Sequence, residues 1–302
     1  MDDEKLLKKI GRDGNDSPLF RGRFTGDIEK DRDIIKEIEE NENAYQNAKF
    51  KGIADKNPAD LIVSAYLCER LLHPDRRKIH WLEYAFYLLG DIRQKQVCDY
   101  CCGHGEMSVY LAKAGAGVSS FDISDEGIQA TRKMAEANKV QDRVKALVRS
   151  AYATGYPDNY FDAVFAAGAL HHLHVPYALK EIKRILKPGG NFVFLEPIIS
   201  HPFIESLKWN SPVKRFLTLK TASKFEKRGI EKEDMDALVS GFTQVKMDRF
   251  RFFARFESKL HDDHRKIYRL YFSDYVLFGV FPFMKIFASA IVGSGKKQED
   301  MP

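Results

Sequence analysis

The spacing of apolar and polar residues changes character three times along the chain. Over residues 28–50, Ile34, Ile35, Ile38, Tyr45 and Phe50 interrupt a dense run of acids and bases, which predicts a solvent-facing helix set as a lid. Asn57-Pro58 opens a second helix over 59–72, and His73-Pro74 ends it through the missing amide and the ring clash. A third helix is expected from an Asp75 cap to Leu89, with Ile79, Leu82, Phe86 and Leu89 at helical spacing and Gly90 beyond the end. From Val97 the pattern alternates. Short apolar strands are expected at 97–100, 117–121, 143–148, 163–166 and 191–195, with helices over 106–114, 124–137 and 176–186 between them. Such alternation predicts an α/β fold with a doubly wound, mostly parallel sheet. After Pro197 come a basic helical region, one late strand over 242–253, and an aromatic stripe at helical spacing (Tyr268, Tyr271, Phe272, Tyr275) that runs on to Val292, interrupted at Pro282 and Lys285. The expected organisation is an arm and lid helices over 1–90, a ligand-binding core over 91–200, and a helical cap over 201–302.

In an open sheet of this kind ligands bind beyond the carboxyl ends of the strands, where Gly103, Asp122, Ser150 and Gly168 are all expected. The stretch V-C-D-Y-C-C-G-H-G from Val97 to Gly105 reads as a buried strand that ends in an acid and opens onto a glycine loop. Gly103 and Gly105 let the backbone approach a ligand, and the helix that follows favours an anionic group at its start. The spacing is wrong for a dinucleotide fold, whose fingerprint needs a third small residue three positions after the second glycine; Ser108 there is small but ambiguous. The next strand ends in Asp122, an acceptor suited to the two ribose hydroxyls of an adenosine. That acid fits NAD and S-adenosylmethionine equally.

Further motifs separate the two. Y-P-D-N-Y-F-D (156–162) leads into an apolar strand and G-A-L-H-H-L (168–173), and L-K-P-G-G (186–190) precedes another strand. With these in order the chain resembles the class I S-adenosylmethionine-dependent methyltransferases, the small-molecule branch that includes the ubiquinone and menaquinone biosynthesis enzymes. The likeness covers about 97–197. It implies a Rossmann-like core and S-adenosylmethionine as cofactor. Asp99 would orient the loop and attract the methionine ammonium, with carbonyls near Cys101 and Ala167 completing that contact. Gly103 and Gly105 would admit the cofactor, Asp122 with Ile123 beside it would hold the ribose, and Ser150 and Ala151 would meet the adenine. The sequence departs from the family at Cys101, where most relatives carry Gly, and at Ser150, where most carry an acid.

Methyl transfer from a sulfonium is a direct displacement. It needs donor and acceptor held in line and water excluded, not a nucleophilic residue or a metal. Where the acceptor is a hydroxyl or an acidic carbon, a base helps, and His171 or His172 stands where the fourth strand opens toward the substrate. A loop-fixing role for the same pair is the competing reading.

Composition narrows the remaining classes. The chain has 302 residues, 44% hydrophobic and 30% charged, enough to bury a full core. Its net charge of +5 is far from what nucleic-acid binding alone would demand. Seven of its 48 Lys and Arg lie from Lys208 to Arg228 against one acid, Glu226, either as a solvated helix surface or as a docking face for anionic lipid or phosphate. Four cysteines, Cys68, Cys98, Cys101 and Cys102, behind a charged N-terminus point to free thiols and a cytoplasmic setting. Cys98-x-x-Cys101 lacks a second pair to complete a zinc site, so no metal is expected. The aromatic load near the C-terminus points to an apolar, prenylated or lipid-linked acceptor, or to peripheral membrane contact. The rival functions are a non-catalytic binding protein on the same fold and a nicotinamide-dependent oxidoreductase.

Overall fold

The computed structural model describes residues 24–198, 229–230, 232–260 and 263–299. The expected arm, apart from Phe24, and the basic run from Lys208 to Arg228 lie outside them. In chain order the strands are β1 (Gln96–Tyr100), β2 (Gly117–Asp122), β3 (Val144–Val148), β4 (Phe161–Ala167), β5 (Leu186–Pro197), β6 (Thr243–Phe250) and β7 (Ala290–Lys296). The helices are α1 (Arg32–Phe50), α2 (Ala65–Leu72), α3 (Trp81–Leu89), α4 (Glu106–Lys113), α5 (Asp125–Ala137), α6 (Val175–Ile185), α7 (Lys232–Ser240) and α8 (His264–Val280).

The strands form one sheet in the order β3-β2-β1-β4-β5-β7-β6. β1 to β5 are parallel, and β7 runs antiparallel to both of its neighbours. The central strands are apolar on both faces because helices cover both. Successive residues feed opposite layers: Val97, Phe165 and Val193 pack with α3 and α4, whereas Cys98, Val164 and Phe192 pack with α6. Strand order reverses between β1 and β4, which opens a crevice at their carboxyl ends.

The structure departs from the pattern in three places. The expected helix over 59–72 is broken, because Asn138 takes Val63 N–H (3.1 Å) and donates to the Leu61 carbonyl (2.8 Å). Only then does Ser64 cap α2, accepting from Leu67 N–H at 3.2 Å. Asp75 caps a local turn at Arg77 rather than a helix, and α3 starts at Trp81. Finally, the aromatic stripe does not continue as helix to Val292. α8 ends at Val280, and the chain returns as β7 into the sheet, so the sheet extends well past residue 200, where the pattern ended the core. β7 does not alternate because both of its faces are buried. Its glycines are steric necessities: a Cβ on Gly293 would stand 2.3 Å from Phe194 Cζ, and one on Gly295 would stand 2.6 Å from Phe242 Cβ.

Candidate active site

The loop after β1 turns through three residues of positive φ: Cys101 (57°), Gly103 (57°) and Gly105 (90°). Gly103 N–H donates to Asp122 Oδ2 at 2.8 Å, and Ser124 N–H donates to Oδ1 at 3.0 Å, so one carboxylate ties the loops after β1 and β2 together. Burial raises the Asp122 carboxyl above its ordinary range, and these two N–H groups pull it back down. A carboxylate has about four lone-pair sites, and the Ile123 N–H also reaches this one, so at least one remains for a ligand. Cys101, Gly103, Asp122 and Ile123 all line the crevice.

Two loop residues have other duties. Asp99 does not line the crevice; it is buried and accepts the Ser108 hydroxyl at 2.5 Å, and burial pushes its carboxyl up to about 7. It supports the loop from beneath through Ser108 of α4. Gly105 is likewise absent from the lining: a Cβ there would strike Thr131 of α5 at 2.6 Å, so its close approach is to a helix.

Helix α1 lies across the crevice and is pinned by its polar residues. Asn43 Nδ2 donates to the Ile123 carbonyl at 2.9 Å. Asn47 Oδ1 accepts from Ser124 Oγ at 2.6 Å and from Glu126 N–H at 3.2 Å. Phe50 presses on the glycine loop so closely that a Cβ on Gly103 would meet its Cζ at 3.0 Å. Glu39 bonds the Ser150 hydroxyl and itself lines the crevice, with burial raising its carboxyl. Ser150 is absent from the lining, and a carboxylate from α1 stands beside the position where an acid was missed. Ala151 and Ala167 also line the crevice.

The two histidines separate. His171 Nδ1 lies 2.7 Å from Glu196 Oε2, and Glu196 Oε1 accepts Ala169 and Leu170 N–H at 2.9 and 2.8 Å. His171 is outside the lining and acts as a brace for its loop; burial and the neighbouring His172 lower its pKa despite Glu196. His172 lines the crevice, its Nδ1 3.4 Å from Glu42 Oε1 of α1. The sequence reading did not identify Glu39, Glu42, Asn43 and Asn47. Their signal was a row of acids and amides on one helix face, ordinarily a solvated surface. It also passed over Glu196, a lone acid closing the apolar run N-F-V-F-L-E.

The assembled crevice holds about 530 Å³, with Glu39, Ala151 and Tyr152 among its lining and, from other elements, Trp81, Leu82, Met107 and Leu195. Residues 98–194 match the family model described as a methyltransferase domain. A demethylmenaquinone methyltransferase of Symbiobacterium thermophilum is 33% identical over 129 residues, 41% of this chain and 51% of that protein. A 27-O-demethylrifamycin SV methyltransferase of Amycolatopsis mediterranei is 33% identical over 100 residues, 32% and 36% of the two chains. The alignments thus span about half or less of these two curated relatives. Among solved structures, a geranyl diphosphate methyltransferase in complex with GPP and sinefungin aligns at TM-score 0.51 and 14% identity, over 71% of this chain and 78% of that one. A [4+2]-cyclase aligns equally well, at 0.51 and 15%, over 72% and 80%. At such identities the likeness is one of fold.

Proposed function

Since residues 98–194 are a class I S-adenosylmethionine-dependent methyltransferase domain, we propose that the protein moves a methyl group from S-adenosylmethionine to a small, largely apolar acceptor by direct displacement. The observation that carries this reading is the clasp at Asp122. One buried carboxylate orders two loops and keeps acceptor capacity at the edge of a crevice lined by Gly103 and Cys101. These residues fit the cofactor: Asp122 would take the ribose hydroxyls, Ala151 and Glu39 would flank the adenine, and carbonyls near Cys101 and Ala167 would meet the ammonium. The bound cofactor would supply a sulfonium-activated methyl group. The chain's own contribution is to hold the two reactants in line and, through α1, to keep water out. Of the two histidines, His172 suits the role of base, because it lines the crevice and faces Glu42. His171 positions the loop.

Calorimetric titration with S-adenosylhomocysteine tests the reading. Micromolar binding is expected in the wild type, weakened at least a hundredfold in Asp122→Ala, where charge-assisted bonds of about 1.5–3 kcal/mol each are lost. Wild-type protein that ignores the ligand would overturn it.

The reading extends to where the acceptor comes from. Among the described residues no helix is long and apolar enough to cross a membrane. Yet Phe272, Val276, Val280, Phe281 and Phe283 stand exposed along α8 and the turn beyond it, the last at 64%. Arg265 and Arg269 are exposed at the other end of the same helix face. Aromatic residues at one end and guanidiniums at the other suit an anionic membrane surface, at which an apolar acceptor would be met.

A further inference from the structure

Beside the crevice lies a second cavity of about 580 Å³, and Trp81, Leu82, Glu106 and Met107 wall both. Its remaining wall comes from the segment around Leu61, from α2, from Tyr110 and Met134, and from Ile267 and Tyr268 of α8. α2 and α8 are drawn together over it. Ser64 Oγ lies 3.0 Å from His264 Nε2, Tyr66 stacks on His264 at 5.3 Å, and the Arg70 guanidinium stands 4.3 Å from the Tyr268 ring centre.

The charges in this wall are largely spent on one another. Arg70 holds Glu83, and Glu257 lies 2.9 Å from Arg251. The lining carries Arg70 against Asp60, Glu83, Glu106 and Glu257, so nothing in it selects an anion. Two buried polar atoms of the lining remain without a partner among the described residues, the Tyr110 hydroxyl and His80 Nδ1. His80 lines the cavity, is buried against Tyr271 with ring centres 4.3 Å apart, and its Nδ1 has no hydrogen-bond partner among the described residues. Buried polar atoms in native proteins are nearly always paired, so an orphaned one beside a cavity marks a place for a ligand atom. Burial keeps this imidazole neutral by pushing its pKa down to about 3, which suits it to a neutral partner.

Resting on the methyltransferase reading, we infer that this second cavity is the acceptor chamber, taking a neutral, mostly apolar ring system whose carbonyl or hydroxyl hydrogen-bonds His80. The acceptor would reach the donor crevice past the shared wall of Trp81 and Met107.

The chain's tryptophans are Trp81 and Trp209, so Trp209→Phe leaves Trp81 as the only tryptophan, a reporter of this wall under excitation selective for tryptophan. The probe is 2,3-dimethyl-1,4-naphthoquinone, an aromatic quencher blocked against thiols, titrated with and without S-adenosylhomocysteine. Saturable quenching is expected, lost on filling the chamber with Leu67→Phe or Ile267→Phe while the calorimetric S-adenosylhomocysteine titration stays unchanged. His80→Phe should weaken the quinone about fivefold, one hydrogen bond's worth, and leave 2,3-dimethylnaphthalene competing as before. The 2-sulfonate of naphthoquinone should bind at least tenfold more weakly than the neutral ring. Quenching that does not saturate, or that survives both filling variants, overturns the chamber. An equal loss of quinone and hydrocarbon in His80→Phe overturns the hydrogen bond, and a preference for the sulfonate overturns the ligand class. Failure of S-adenosylhomocysteine to bind the wild type, with the quench intact, removes the donor reading and leaves the chamber standing.

Discussion

Cys101 holds backbone at φ 57°, where a Cβ crowds the neighbouring carbonyl and glycine does not. Replacing it with glycine should stabilise the protein by about 1 kcal/mol, a rise of about 2–3 °C in thermal midpoint by calorimetry. At this scale the sequence was informative wherever a residue's job depends on its close neighbours. Gly103, Asp122 and Ile123 belong to two strand ends, and the alternation of strands and helices alone brings them together. Asp99, Gly105 and Ser150 sit in the same motifs but serve partners that spacing does not reveal. These are Ser108 on α4, Thr131 on α5, and Glu39 more than a hundred residues away. His171 and His172, adjacent in sequence, were indistinguishable until Glu196 and Glu42 were seen to take one each.

Among the elements, α1 shows most clearly what a pattern can and cannot say. Its apolar residues marked a helix, and four of them, Ile35, Ile38, Tyr45 and Phe50, are buried. Its target was hidden because a polar face reads alike whether it meets water or a loop. Asn47→Ala should release the tie to Ser124 and Glu126, two bonds of about 1 kcal/mol each. S-adenosylhomocysteine should then bind about tenfold more weakly, chiefly through faster dissociation in stopped-flow, and the thermal midpoint should fall by about 5 °C. Unchanged dissociation would mean that α1 covers the crevice without guarding it. β7 was missed for the opposite reason. A strand buried on both faces, with glycines where Phe194 and Phe242 need room, carries no period of two.

For the molecule as a whole, two buried groups pull acid stability in opposite directions. His80 has a folded pKa of about 3 against an ordinary 6.5, so the unfolded chain takes up its proton first. Its contribution is complete above pH 6.5 and drains away as the pH falls toward 3. Asp99, pushed up to about 7, keeps its proton in the fold when the unfolded chain has lost it. Its cost therefore grows as the pH rises from 3.8 to 7. The net curve mixes both, and the difference between wild type and His80→Phe isolates one. Between pH 6.5 and 5 that difference should change by about 2 kcal/mol, at about 1.4 kcal/mol per pH unit, in urea unfolding series. The exposed end of α8 makes a second prediction at this scale. The protein should float with vesicles of anionic lipid and sink with neutral ones at moderate salt. Phe281→Ser combined with Phe283→Ser should abolish flotation while leaving S-adenosylhomocysteine binding intact. Indifference of the wild type to both vesicles would remove the membrane from the account.

The antiparallel strand β7, wedged between β5 and β6, also sets a timetable for a chain made from one end. β1 to β5 can pair as they emerge, and the crevice residues from Cys101 to Leu195 are then already in hand. β5 nevertheless keeps an open edge and β6 has no neighbour until residues 290–296 arrive. During that interval the nascent protein presents unpaired backbone beside Phe192 and Phe194, the kind of edge on which chains join one another. That edge closes only when β7 arrives, far in sequence from the residues that would bear the chemistry.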